Sequence, residues 1–157
     1  MTEAPREFKP LKDLGALPLN DTSELRFYVD EFKGFKYGSI RTFVKGEGYS
    51  GPTKSGVTFN PTILAGVIEA LAKLPAEPAA LKDEELARFP KKAGVELVVR
   101  VTIFKDSTGV DIREWADSPE YKGWSKKGVR IPYPLLSKTL ERLREMQPHV
   151  GAPRAKA

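Results

Sequence analysis

Two short constellations in this chain have the residue types for binding chemistry, and each is a copy of the other. Arg41 stands two residues before Phe43, and Arg113 two residues before Trp115. Nine residues upstream of each arginine lies a Phe-Lys pair, Phe32-Lys33 and Phe104-Lys105. Lys36 adds a cation to the first copy, Lys54 follows it, and Lys126-Lys127 follows the second. Aromatic rings interleaved with cations suit a flexible polyanion that carries flat bases, because bases stack on rings while ammonium and guanidinium groups track phosphates.

The residue types needed for catalysis are missing. The chain has no cysteine, which excludes disulfides, thiolate metal sites and cysteine nucleophiles. Its single histidine, His149, sits near the C-terminus, and no His/Asp/Glu cluster or nucleophile–base pair accompanies it. No enzyme activity, metal or cofactor is expected. Gly46-Glu47-Gly48-Tyr49-Ser50-Gly51 spells a GxGxxG, but a dinucleotide fingerprint must lie between a strand and a helix. Here a strand pattern follows, and the stretch reads as a hairpin loop.

The elements that position these residues are repeated with them. Sliding the sequence against itself by 72 residues matches Glu24-Leu25 with Glu96-Leu97, Ile40-Arg41 with Ile112-Arg113, Tyr49 with Tyr121, and Lys54-x-Gly56-Val57 with Lys126-x-Gly128-Val129. From Glu24 to Leu71 no gap is needed, and 15 of the 48 pairs are identical, far above chance. Within each copy, Leu25, Phe27 and Val29, and Leu97, Val99, Val101 and Ile103, alternate with other residues as strands buried on one face. Tyr37–Val44 and Gly109–Ala116 read as second strands, and Gly56–Phe59 and Gly128–Ile131 as further short ones. A helix ends each copy. Asn60 and Pro61 suit the cap and first position of the first helix, and Leu135, Leu136, Leu140 and Leu143 mark the second.

These patterns predict an α+β chain of two tandem repeats, each a four-stranded antiparallel sheet plus a helix (ββββα), forming an intramolecular pseudo-dimer through the helices. The expected boundaries are an N-terminal extension 1–23, repeats at 24–74 and 95–146, a linker 75–94 with a short helix near Ala79–Phe89, and a disordered basic tail 147–157. Each helix is expected on its own sheet, leaving the opposite sheet faces open. Strand parity then puts Phe32, Arg41 and Phe43, and Phe104, Arg113 and Trp115, on those open faces.

Composition fits this reading without forcing it. With 26 basic and 21 acidic residues the net charge is only +5, so the distribution of cations matters more than their number. No signal-peptide pattern or long apolar run appears, and the expectation is a cytoplasmic, nucleoid-associated protein with no membrane partner.

The repeated motifs resemble the C-terminal domain of the transcriptional coactivator positive cofactor four and its bacterial relatives. That family reads Phe-Lys-Gly-Lys, then Asp-Ile-Arg-Glu-Tyr-Trp, then Arg-Lys-Gly-Ile-Ser-Leu-Asn-Pro before a helix. Phe32-Lys33-Gly34, Ile40-Arg41 and Gly56-Val57-Thr58-Phe59-Asn60-Pro61 match it once, and Phe104-Lys105, Asp111-Ile112-Arg113-Glu114 and Lys126-Lys127-Gly128-Val129 match it again. Phe35 and Ser107 replace the second lysine, Trp115 stands at the tyrosine position and Ala116 at the tryptophan position. The whirly and Pur-type folds are related. The resemblance implies helix-mediated dimerisation and binding of single-stranded or melted DNA on the sheet faces. The implied nucleic-acid-binding residues are Phe32, Lys33, Lys36, Arg41, Phe43, Lys54, Phe104, Lys105, Arg113, Trp115, Lys126 and Lys127. RNA is an alternative ligand, contact with the transcription machinery is an alternative role, and homodimerisation beyond the pseudo-dimer is compatible with the sequence.

Overall fold

The computed structural model describes residues 10–78 and 81–151. The elements are β1 (Lys12–Asn20), β2 (Ser23–Phe32), β3 (Phe35–Lys45), β4 (Ser50–Phe59) and α1 (Pro61–Ala72), then β5 (Glu84–Lys92), β6 (Val95–Phe104), β7 (Ser107–Asp117), β8 (Lys122–Pro132) and α2 (Leu136–Met146). A 3-10 turn, Tyr133–Leu135, leads into α2, and another, Gln147–His149, follows it. The strands form two antiparallel meanders in the orders β1-β2-β3-β4 and β5-β6-β7-β8. Each four-stranded sheet is followed by a helix, as expected.

Both repeats begin earlier than the sequence reading put them. Lys12–Asn20, assigned to an extension, is the edge strand of the first sheet, and Glu84–Lys92, assigned to a linker with a helix, is the edge strand of the second. Their bounds are again offset by 72, with Leu14 over Leu86 and Pro18 over Pro90. Both strands are mostly exposed and carry a proline, which only an edge position tolerates. Of the stretch assigned to a disordered tail, residues 147–151 are structured, and Gly151 exchanges two backbone hydrogen bonds of 2.9 Å with Lys36. Residues 152–157, like 1–9 and 79–80, lie outside the described part.

Tight turns keep the register. Lys33-Gly34 and Lys105-Asp106 join β2 to β3 and β6 to β7, all four residues at positive φ, as two-residue hairpin turns require. Asn60 Oδ1 accepts the Ile63 N–H at 2.8 Å and Pro61 opens α1, as their order in the sequence implies.

The helices cross over. α1 packs against α2 and reaches β5 and β6 of the second sheet, while α2 lies against β1 and β2 of the first. This corrects the expectation of each helix on its own sheet. Glycines make the crossing close: Gly66 of α1 lies beneath the Phe89 ring of β5, and Gly38 of β3 beneath the Met146 thioether of α2. One continuous core results, with Leu25, Phe27, Ile40, Leu64 and Val67 from the first repeat and Leu97, Ile112, Ile131, Leu143 and Met146 from the second. The two repeats therefore share one core.

Candidate nucleic-acid interface

The faces away from the core carry the expected residues. On the first sheet, Arg41 pairs with Arg26, Phe43 with Glu24, and Phe32 with Phe35. On the second, Arg113 pairs with Val98, Trp115 with Glu96, and Phe104 with Ser107. Bulges do interrupt β3–β4 between Arg41 and Phe43, and β7–β8 between Arg113 and Trp115. The extra residues sit on β4 and β8, so the parity of β3 and β7 is unaffected.

Parity does not equal exposure. Phe32 and Phe104 are 62% and 64% exposed at hairpin tips, with Lys33 and Lys105 ammonium groups 5.3 and 5.4 Å from the rings. Phe43, by contrast, is 4% exposed, and the Arg26 guanidinium lies 4.3 Å above its ring. Trp115 is half-buried, edge-on to Trp124 with ring centres 4.8 Å apart. Lys36 has the parity of Ile40 and falls on the helix side of its sheet, not on the outer face.

Both arginines lie flat across the next strand. Arg41 donates to the Tyr28 hydroxyl at 3.1 Å and the Thr53 carbonyl at 2.8 Å. Arg113 donates to the Ser125 carbonyl at 3.1 Å and to both oxygens of the buried Asp111 at 3.2 Å. A Cβ on Gly56 would come within 2.6 Å of Arg41 Cζ, and one on Gly128 within 2.7 Å of Arg113 Cβ. The repeated Lys-x-Gly-Val motif is thus explained: its glycine clears the path of the arginine from the neighbouring strand.

The cations gather where the sheets meet. β4 and β8 run close together, and the cleft between the repeats, about 530 Å³, is lined by Arg41, Lys54, Lys91, Lys92, Lys126 and Lys127 and by one carboxylate, Glu114. Lys91 Nζ lies 2.6 Å from Glu114 and also donates to Thr58 Oγ1 of the other repeat at 2.9 Å. The pair ties β5 and β7 to β4 inside the cleft. Arg41, Lys54, Lys126 and Lys127 were legible in the sequence. Lys91 and Lys92 were missed because their strand was, although the continued offset of 72 pointed to it. The Phe-Lys tips are not part of the cleft. Phe32 is six residues along β2 from Arg26, the partner of Arg41, a separation of about 20 Å at 3.3 Å per residue.

The opposite hairpin ends carry Tyr49 and Tyr121, exposed rings that the sequence reading noted as repeat partners but not as site residues. Their hydroxyls donate to the carbonyls of Pro52 and Trp124 at 2.5 and 2.8 Å. On the second sheet Arg88 bridges Glu85 and Glu96 at 2.8 and 2.7 Å. Its hydrogen bond holds the Glu85 carboxyl below the usual range, so these charges are satisfied locally. Among the described residues no group of His, Asp or Glu is arranged to hold a metal, and no helix is long and apolar enough to cross a membrane.

No family model and no curated protein matches the chain. Among solved structures, the crystal structure of WHY3 from Arabidopsis thaliana is similar over 94% of this chain and 90% of that one, with 9% identity and a TM-score of 0.46.

Proposed function

We propose that this chain is a non-catalytic single-stranded nucleic-acid-binding protein, with DNA as its ligand, that threads a strand through the cleft between its repeats. The observation that carries the reading is the convergence of six cations from β3, β4, β5 and β8 on one cleft with a single carboxylate among them. A lining of long cationic side chains suits a phosphate backbone, which is bound mainly through charge. Phe32 with Lys33, and Phe104 with Lys105, serve as stacking stations at the hairpin tips, where each exposed ring can take a base and the ammonium group beside it a phosphate. Arg113 and Trp115 support the second face. The motif resemblance extends the reading to a cofactor role in transcription or DNA maintenance.

The test is the double charge reversal Lys54→Glu/Lys126→Glu, one lysine from each repeat, both exposed. Fluorescence anisotropy with a labelled dT oligonucleotide should show wild-type binding and its near-complete loss in the variant, with melting temperature unchanged. Equal affinity for both proteins would remove the cleft as the binding surface.

A further inference from the structure

Between the hairpin tips and the cleft, the outer faces of the two sheets differ in charge. On the first sheet that stretch holds Tyr28, Asp30, Ser39 and Thr58, one carboxylate and no cation. The offset of 72 puts Arg100, Thr102, Asp111 and Arg130 at the same places on the second, two guanidiniums and one carboxylate. The tips themselves match, since each Phe-Lys pair has one acidic neighbour, Glu31 or Asp106.

The added guanidiniums form steps from one tip to the cleft. Arg130 lies flat over Gly109, where a Cβ would come within 2.7 Å of its Cζ. It donates to Thr102 Oγ1 at 2.9 Å and to the carbonyls of Thr102 and Ser107 at 3.1 and 2.7 Å. Ser107 is the strand partner of Phe104, so this guanidinium sits at the foot of the tip. The first sheet has Tyr37 in place of Gly109, which leaves no room for such a guanidinium. Arg100 follows along β6, 3.3 Å from Asp111, and the same carboxylate accepts from Arg113. Arg113 in turn donates to the carbonyl of Ser125, a residue of the cleft wall. Phe104, Thr102, Arg100 and Val98, the partner of Arg113, stand two residues apart on one face of β6, so each step is about 7 Å. The acceptors of Arg130 are all neutral, and Arg100 and Arg113 share one carboxylate, so the track stays positive.

We infer that a strand leaving the cleft runs over the outer face of the second sheet to Phe104, with Arg100 and Arg130 holding its phosphates on the way. The planar forks of these side chains suit phosphate oxygens. The first sheet offers no such path between the cleft and Phe32, because Asp30 repels phosphate and no cation offsets it. The inference rests on the proposed single-strand binding and adds an unequal course: the bound strand continues from the cleft onto one repeat only.

Removing the steps tests this. Arg100→Gln, Arg130→Gln and Arg130→Lys are compared with wild type by anisotropy, on labelled dT strands of about 6 nucleotides, short enough to stay in the cleft, and about 20, long enough to reach the tip. On the long strand each Gln variant should lose about 10-fold in affinity, the effect of one charged hydrogen-bonding partner, and Arg130→Lys should lose less. On the short strand all should match wild type. Phe104→Ala should weaken the long strand more than Phe32→Ala does. Arg130 bonds no carboxylate, so its removal orphans no buried charge and its variants are expected to melt with wild type. Should Arg130→Gln melt lower, Arg130→Lys still decides, because it loses the same fork and keeps the charge. Long-strand affinity untouched by Arg130→Gln, equal losses for Arg130→Gln and Arg130→Lys, or a loss as large on the short strand overturns the path and leaves the cleft standing. Wild-type protein that binds neither strand at low salt removes the parent reading, and the path with it.

Discussion

The cleft holds one carboxylate among its cations, and that carboxylate makes stability and binding respond in opposite directions. Glu114 is paired at 2.6 Å with Lys91, and the two side chains are only 9% and 19% exposed. Lys91→Met keeps the aliphatic stem and removes the ammonium, which leaves Glu114 charged with little water to solvate it. Breaking a buried pair this way costs about 3–5 kcal/mol, and the residual exposure of Lys91 favours the lower end, about 3 kcal/mol. For a chain of this length each kcal/mol moves the melting temperature by about 2–4 °C, so a fall of about 6–12 °C is expected in a thermal melt followed by circular dichroism. Glu114→Gln also destabilises, but it frees the Lys91 charge inside the cleft. Its affinity for dT should rise, and its log–log salt slope should steepen by about 0.7, the contribution of one further phosphate contact on a single strand. If Lys91→Met melted within about 2 °C of wild type, the pair would not be the tie between repeats. If Glu114→Gln bound with an unchanged slope, Lys91 would lie off the path of the strand.

Further outcomes follow from contacts elsewhere. Gly128→Ala should destabilise by about 1–3 kcal/mol in urea unfolding, because its Cβ meets the stem of Arg113 and the Ile112 carbonyl. Gly56→Ala should also destabilise, since its Cβ meets the Arg41 guanidinium and displaces it from the Tyr28 hydroxyl and the Thr53 carbonyl. Phe104→Ala should leave the melting temperature within about 1 °C, because the ring is exposed, while weakening dT binding by roughly 1–3 kcal/mol if a base stacks there; a lowered melting temperature with normal affinity would count against stacking. Burial raises the pKa of Tyr133, with Glu77 adding to the effect, and its hydroxyl donates to the Pro75 carbonyl. Because the folded state holds this proton more tightly, stability should fall as pH rises above the ordinary tyrosine value of 10.0, and Tyr133→Phe should flatten that fall in a melting series.

The strong repeat made the architecture legible, because period-two alternation in β2 and β6 and a capped apolar helix leave few alternatives. The edge strands β1 and β5 were harder to see. With both faces partly wet they lack clean alternation, and Pro18 and Pro90 read as loop residues until the offset of 72 is carried past Glu24. The crossing of the helices was not legible at all. An apolar stripe shows that a helix face is covered but not which sheet covers it, and only Gly66 under Phe89 and Gly38 under Met146 reveal the exchange. The site was half legible for the same reason. Parity put Phe32 and Phe43 on one face, but it could not foresee that Arg26 would cover Phe43 or that Trp124 would back Trp115. Parity properly applied would have excluded Lys36, which shares the inward phase of Ile40.

The central claim is that a single strand lies along the cationic cleft, and the salt dependence of its binding tests it most directly. Six cations line the cleft, and Lys91 is neutralised by Glu114, which leaves five for phosphates. At about −0.7 per phosphate, the log–log slope for dT binding between about 50 and 200 mM salt should approach −3.5 and should flatten by about 1.4 when Lys126 and Lys127 are both replaced by Gln. Binding whose affinity ignored salt, or a slope untouched by removing those two lysines, would contradict the account.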